Sequence, residues 1–351
     1  MKSTKTWCAT LLCLSALACG GDDGGAEGGA SGMSGGSSGA GGSTGGSSGS
    51  SGEGAAGGST GGSSGDPGPL EYAPCAVGAR AGVFSIELAP RFTGINGDVL
   101  DGVDPTFVPE VVASEGDCTL YRAPSLFCDP SCGSAESCGP DGCIPTPRTQ
   151  NVGVVTVTGL VDSPIEMMPR NVGNHYTNPG SLTHPGFEEG ADITLSAAGG
   201  DHSAFSLRGA GVAAIEAPSD PVRVESGSGT LVTWTAPSVD NEAVRMHINL
   251  DIARHGGTPA RIECSVPDTG SFEIPETLIT QLVGLGFSGF PALDLTRRSA
   301  DSVEVDGLGC VELEVLATLR VDATVPGLTS CSSAADCEDG QTCQMDMTCS
   351  D

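Results

Sequence analysis

Cysteines constrain the fold of this chain more than any other residue type. Of the 15 cysteines among 351 residues, eight form two compact groups: Cys128, Cys132, Cys138 and Cys143, then Cys331, Cys337, Cys343 and Cys349. Segments so short and so rich in Asp, Gly and Ser cannot fold on their apolar content, so we predict two small modules with two disulfides each. Zinc is the alternative, but the CxxC knuckles of structural zinc sites are missing. Three pairings remain open within each group.

Four further cysteines lie at the ends of strand-like segments or beside them. They are Cys75, Cys118, Cys264 and Cys310. On sequence proximity alone, we expect the pairs Cys75–Cys118 and Cys264–Cys310.

Alternating apolar and polar residues mark the body of the chain as β-structure. The alternation is longest over 244–252 and 311–321, and shorter candidates are 82–88, 152–160, 192–197, 231–235, 262–266 and 302–305. Such alternation is typical of half-buried antiparallel strands. Pro275 followed by apolar residues at helical spacing predicts a single short helix over 275–284. We therefore predict an all-β fold, an antiparallel β-sandwich with one short helix, two small disulfide-rich modules and a disordered N-terminal tether.

The segment 230–237, Thr-Leu-Val-Thr-Trp-Thr-Ala-Pro, is followed by a strand from Ala243. It resembles the second and third strands of fibronectin type III and immunoglobulin-like domains, in which a buried Trp precedes a Pro-containing turn. The Tyr that usually lies in the next strand of those domains is missing here. The resemblance implies a β-sandwich and carries no activity with it.

The first 18 residues have the pattern of a secretory signal peptide. Lys2 and Lys5 precede an apolar run over 7–18 that ends in small residues, as signal peptides do. A short buried helix is the alternative, whereas a membrane span needs about 20 apolar residues.

Cys19 follows this leader in the sequence Ala-Leu-Ala-Cys-Gly. The segment resembles the lipobox of bacterial lipoproteins, which implies an acylated Cys19 as the first mature residue, although Ala16 stands where that family usually has Leu. Ordinary signal peptidase cleavage also fits, and it would leave a free thiol. Removal of Cys8 and Cys13 with the leader and acylation of Cys19 leave twelve unmodified cysteines in the mature chain, an even number that suits an exported protein with every thiol paired.

Residues 19–69 are dominated by Gly and Ser. This composition is typical of a flexible linker, with a root-mean-square span of roughly 40 Å for fifty residues. Cys-Gly-Gly-Asp-Asp before a long Gly/Ser tract resembles surface lipoproteins of myxobacterial-type deltaproteobacteria, and the Cys-rich groups resemble short repeats of secreted proteins from the same bacteria. Gly20 follows Cys19, where enterobacterial lipoproteins that stay in the inner membrane have Asp. By that analogy we expect an outer-membrane lipoprotein, facing the periplasm or the cell surface.

Charge excludes several classes of function. There are 15 Lys and Arg against 44 Asp and Glu, a net charge of -29. So acidic a chain lacks the basic face that nucleic-acid binding requires. Lys2 and Lys5 are the only lysines, so the mature chain has no lysine for a Schiff base or a phosphate-binding loop.

Two motifs resemble catalytic ones. Asp268-Thr-Gly-Ser resembles the catalytic turn of aspartic proteases, which need two such carboxylates to activate water, and a second copy of the motif is missing. A β-turn between two strands is the alternative, since Pro267, Asp268 and Gly270 all suit a turn. Gly286-Phe-Ser288-Gly289 is loosely similar to a nucleophile elbow, but Phe290 replaces its final Gly. We predict no catalytic residue.

Oxygen and nitrogen ligands also suggest metal sites. Asp98, Asp101 and Asp104 surround a glycine turn, which suits calcium, although EF-hand spacing is not met and an acidic surface loop is the alternative. His175, His184, Asp201 and His202 lie in a loop-rich stretch without the spacing of a known metal motif. His247 is expected to face solvent on the polar side of its strand, and His255 completes the five histidines.

The expected organisation is a signal peptide (1–18), a lipid-anchored linker (19–69), an N-terminal β region (70–127), a Cys-rich insert (128–147), a β-sandwich domain (148–327) and a C-terminal Cys-rich module (328–351). We expect a cell-envelope lipoprotein for recognition, adhesion or structure. Its partners are then the membrane, through the lipid, and a protein or glycan, with no nucleic acid. The alternatives are a secreted hydrolase with a site built from loops and a calcium-dependent binding module.

Overall fold

A computed structural model describes residues 68–125, 127–253 and 260–350. The expected signal peptide, Cys19, nearly all of the linker and His255 lie outside these residues. The described residues belong to one compact unit.

Twenty strands, one α-helix and two 3-10 turns make up this unit. The strands are β1 (Arg80–Leu88), β2 (Thr93–Val99), β3 (Glu110–Glu115), β4 (Cys118–Arg122), β5 (Glu136–Gly139), β6 (Gly142–Pro145), β7 (Val155–Thr158), β8 (Ile165–Met167), β9 (Tyr176–Thr177), β10 (Asp192–Ala197), β11 (Phe205–Ala210), β12 (Val222–Arg223), β13 (Thr230–Thr233), β14 (Val244–Asp251), β15 (Ala260–Pro267), β16 (Ser271–Ile274), β17 (Ala292–Val305), β18 (Gly309–Thr324), β19 (Thr342–Cys343) and β20 (Cys349–Ser350). The helix α1 spans Glu276–Gly284, and the 3-10 turns span Pro105–Phe107 and Ala334–Asp336. The prediction of a mostly β fold with one short helix is confirmed.

The largest sheet contains ten strands, nine of them in the order β3-β4-β15-β14-β17-β18-β1-β2-β9. The long hairpin of β17 and β18 forms its centre, and most neighbours are antiparallel. However, β18 pairs in parallel with β1 and also with the short β12, which alternation alone does not predict because parallel and antiparallel strands share a period of two. Strands from either side of the Cys-rich insert therefore build one sheet.

A second sheet, in the order β11-β10-β7-β8, packs on the apolar face of the first. At Gly209 in β11, an added Cβ would lie 2.8 Å from a methyl group of Val315 in β18, so the two layers approach closely there. The outer edge of β11 is not left unpaired. Its N–H groups at Arg208 and Ala210 donate to the side chains of Asp301 and Ser299 in β17, which protects the edge from pairing with other chains.

Two of the expected disulfides are wrong. The structure pairs Cys75 with Cys310 and Cys118 with Cys264, not Cys75 with Cys118. The reason is the order of strands in the large sheet. β4 lies beside β15, where Cys118 is directly opposite Cys264, and β1 lies beside β18, which brings Cys75 to Cys310.

Both Cys-rich groups form two disulfides each, as predicted, and both use the alternating pairing of first with third and second with fourth. The bonds are Cys128–Cys138, Cys132–Cys143, Cys331–Cys343 and Cys337–Cys349. A two-stranded sheet accompanies each group, β5-β6 in the first and β19-β20 in the second.

The helix α1 begins directly after Pro275 and buries Leu278, Ile279 and Leu282 against the core. This apolar spacing is the one from which the helix was predicted. Among the described residues, no helix is long and apolar enough to cross a membrane.

Candidate functional site

Asp268, the residue of the protease-like motif, lies in the turn that joins β15 to β16. Gly270 adopts a φ of +95° there, a conformation that favours glycine, and its carbonyl accepts a hydrogen bond from the Trp234 N–H. The β-turn interpretation of Asp268-Thr-Gly therefore describes its backbone. Its side chain, however, does not point to solvent and is only 5 % exposed.

Arg297 in β17 forms a buried ion pair with this carboxylate. The guanidinium donates from Nε to Asp268 Oδ2 at 2.5 Å and from one terminal nitrogen to Oδ1 at 3.3 Å. Its remaining N–H groups donate to three backbone carbonyls, those of Ala213, Ala214 and Thr235, at 3.2, 2.9 and 2.8 Å. All five donors of the guanidinium are thus used, although its side chain is only 2 % exposed.

Trp234 completes this buried network. Its indole Nε1 donates to Asp268 Oδ1 at 2.6 Å, so both carboxylate oxygens of Asp268 accept charged or indole N–H groups. The network connects the turn, β17 and the loop segments at 213–214 and 234–235. The carboxylate of Asp268 is therefore occupied by contacts within the fold. No second Asp-Thr-Gly exists in the sequence to pair with it.

Above the network lies a cleft of about 460 Å³, within the range of small-molecule sites in proteins. Its floor is the Asp268–Arg297 pair, and its walls come from 189–190, 211–213, the loop 237–244 and the turn 267–269. Apolar side chains on these walls belong to Val212, Pro237, Val239, Val244 and Pro267. Glu189, Asp240 and Glu242 also line the cleft, with Asp240 and Glu242 exposed and Glu189 half-buried, and we call these three residues its rim.

Hydrogen bonds fix the loop that forms one wall of the cleft. Glu189 accepts from the backbone N–H of Ser238 at 2.9 Å, from that of Val239 at 3.1 Å and from the Ser238 hydroxyl. Burial opposes ionisation of Glu189, but these hydrogen bonds outweigh it and lower the pKa of the carboxyl. Glu189 therefore remains an anion at the rim.

A second polar cluster covers the opposite face of the large sheet, and its centre is His247. The expectation that His247 faces solvent is wrong, because Tyr72 from the segment 68–75 lies over it. The Tyr72 hydroxyl is 2.5 Å from His247 Nε2, and the Ser265 hydroxyl is 3.2 Å from the same atom. Burial, followed by the nearby charges of Arg298 and Arg245, lowers the pKa of His247 to about 3, so the imidazole is neutral at physiological pH.

Glu312 anchors the rest of this second cluster. Its side chain is 1 % exposed, and it accepts from the Cys75 N–H at 2.7 Å and from the Arg298 guanidinium. Arg298 also lies 3.0 Å from Glu314. The cluster fastens the segment 68–75 to the sheet beside the Cys75–Cys310 disulfide, and each of its charges has a partner.

The three calcium candidates do not converge. Asp98 lies 2.5 Å from His175 Nδ1, Asp101 accepts from the Arg148 N–H, and Asp104 accepts from Thr106 at the start of a 3-10 turn. Each carboxylate is used by a different local contact.

The remaining histidine candidates are also separate from one another. His184 Nδ1 lies 3.3 Å from the Thr93 hydroxyl, and His202 Nε2 lies 3.2 Å from the Gln150 amide oxygen. Within the described residues, the groups of three potential metal ligands are Cys128, Cys132 and Cys143 and Cys331, Cys337 and Cys349, whose sulfurs are in disulfides.

Ser288, the candidate of the elbow-like motif, is fully buried. Its backbone N–H donates to the Ile252 carbonyl at 2.8 Å. A nucleophile elbow instead presents its hydroxyl at an exposed turn, so the surroundings of Ser288 do not match that motif.

Comparison of the sequence with models of known protein families and with curated proteins found no match. The site must therefore be interpreted from its own geometry.

Proposed function

We propose that this chain is a non-catalytic binding domain of the cell envelope, held on the Gly/Ser linker by a lipid on Cys19. The observation that carries the proposal is the Asp268 network. Asp268, the residue of the protease-like motif, is bound by Arg297 and Trp234 and forms part of the floor of a cleft.

The disulfides indicate the compartment in which the protein folds. Six of them join the twelve cysteines from Cys75 to Cys349, and such density is typical of proteins that fold in an oxidising, extracellular or envelope location. Since these twelve pair among themselves, Cys19 has no thiol partner there, which supports lipidation of Cys19 after removal of the leader. A lipoprotein anchor with more than one acyl chain gives stable membrane retention.

Anchoring is tested by mass spectrometry of the protein recovered from the membrane fraction of the producing bacterium. We expect a mature chain that begins at Cys19 and carries acyl chains, and release of the Cys19→Ser variant into the soluble fraction. An unmodified Cys19 in a membrane-free protein contradicts the anchoring part of the proposal.

The absence of catalysis is tested with the purified chain on a panel of protease and glycosidase substrates. We expect no turnover above that of the buffer. Turnover that is lost in Asp268→Asn, while circular dichroism shows the variant still folded, contradicts the proposal. A matched control is Asp322→Asn, which removes an exposed carboxylate far along β18.

A further inference from the structure

We propose that the cleft above Asp268 and Arg297 binds an amphipathic organic cation, an apolar group that carries an ammonium or guanidinium. This inference rests on the proposed binding function and names the ligand class of the same cleft. The shape of the cleft is the first argument. A space of about 460 Å³ accommodates a small ligand. Its lining combines apolar side chains with a comparable number of charged and polar ones, which suits a ligand that has both an apolar and a charged part.

The charges around the cleft provide the second argument. Asp268 and Arg297 neutralise each other at the floor. Arg245 at the edge is turned toward Ser265, to which it donates at 2.6 Å, and lies 3.8 Å from Asp117. The cations that line the cleft therefore have anionic or carbonyl partners of their own.

Two of the three rim carboxylates lack such compensation, since neither Asp240 nor Glu242 has an ion pair within the described part of the chain. Glu189 accepts hydrogen bonds from neutral groups, and the charge of Arg297 also acts on it. Three anions at the mouth of a cleft attract a cation and repel an anion. Apolar walls at Val212 and Val239 then select a cation that also has an apolar part.

The cleft is also preorganised. Its floor is held by the five hydrogen bonds of Arg297, and the loop at its wall by those of Glu189. Rigid sites lose less conformational freedom on binding, so the walls keep their shape when the cleft is empty.

Binding can be measured through the fluorescence of Trp234. The chain has two tryptophans, Trp7 and Trp234, and Trp7 lies in the leader, so the mature protein that begins at Cys19 retains only Trp234, next to the floor. In this mature protein we titrate hexylammonium and follow Trp234 fluorescence, with hexanol and hexanoate as neutral and anionic probes of the same chain length. We expect a saturable change with hexylammonium at a concentration about tenfold lower than with hexanoate, because several weak charge interactions of about 1.4- to 5-fold each combine.

Rim variants and salt make the test specific. Asp240→Asn with Glu242→Gln is expected to weaken hexylammonium binding about fivefold, and added salt to weaken it in the parent chain. The matched control, Asp306→Asn with Asp322→Asn, removes two exposed carboxylates outside the cleft and is expected to leave binding unchanged.

Equal affinity for the three probes, no saturable change, or an effect of the control variant equal to that of the rim variant overturns the ligand class. The protease and glycosidase panel separates this failure from that of the proposed function. A failed titration without turnover on the panel refutes only the ligand class, whereas turnover that is lost in Asp268→Asn refutes the non-catalytic proposal itself.

Discussion

Replacing Asp268 by Asn should destabilise the protein strongly, although the two side chains have nearly the same size. The guanidinium of Arg297, 2 % exposed, loses its only charged partner in the network. Two of its five hydrogen bonds go to Asp268, and the amide nitrogen of Asn offers a donor where an acceptor is needed. Breaking a buried ion pair by removing one partner costs about 3–5 kcal/mol of folding free energy.

The measurement is equilibrium urea unfolding with the disulfides intact, supported by thermal melting, where we expect a fall in Tm on the order of 10 °C. The control Asp322→Asn should change the free energy of unfolding by less than about 0.5 kcal/mol, as exposed substitutions usually do. Replacing both partners, in Asp268→Leu with Arg297→Met, should recover part of the loss, because no uncompensated charge is then buried. Recovery is incomplete because Trp234 Nε1 and three backbone carbonyls lose their partners. The reasoning is refuted if Asp268→Asn unfolds at the same urea concentration as the parent chain.

Three further predictions follow from buried contacts. The folded-state pKa of His247 is about 3, against an ordinary value of 6.5, so between these pH values only the unfolded chain binds the proton. The free energy of unfolding should therefore fall as the pH falls from 6.5 to 3, by at most about 1.4 kcal/mol per pH unit. In His247→Gln, a plot of the urea midpoint against pH should have a smaller slope over this range. Replacing Cys75 and Cys310 together by Ser removes a disulfide that spans 235 residues and should lower the free energy of unfolding by about 3–5 kcal/mol. Thermal melting measures the effect, and an unchanged Tm would show that the disulfide does not stabilise the fold. Gly209→Ala places a methyl group 2.8 Å from Val315 and should cost about 1–3 kcal/mol through overpacking between the sheets, with a variant as stable as the parent contradicting the close approach.

Some strands were predictable because their own residues alternate. β14 buries Val244, Met246, Ile248 and Leu250 on one face, as the sequence pattern indicates. β17 was predicted only over 302–305, although it begins at Ala292. Arg297 is the reason, since a charged residue at a core position breaks the apolar alternation, and only its buried partners reveal that it faces inward.

The candidate site also has a part that the local sequence predicts and a part that depends on distant residues. The turn at Asp268 is local and was predictable from Pro267, Asp268 and Gly270. The roles of its side chain were not, because Trp234 and Arg297 are 34 and 29 residues away in sequence. The cleft itself forms where five separate segments meet, the four of its walls and β17 with Arg297, and no signal within any one of them indicates it.

The sequence alone determined the β character, the single helix and the two disulfide-rich modules, since these depend on local periodicity and spacing. Tertiary structure alone decided the pairing of Cys75 with Cys310, the covering of His247 by Tyr72, and the contacts of Asp268 with Arg297 and Trp234. The physical reason is that period two specifies which residues share a face of a strand. Which strand lies beside it, and what covers that face, depends on contacts between residues distant in the chain.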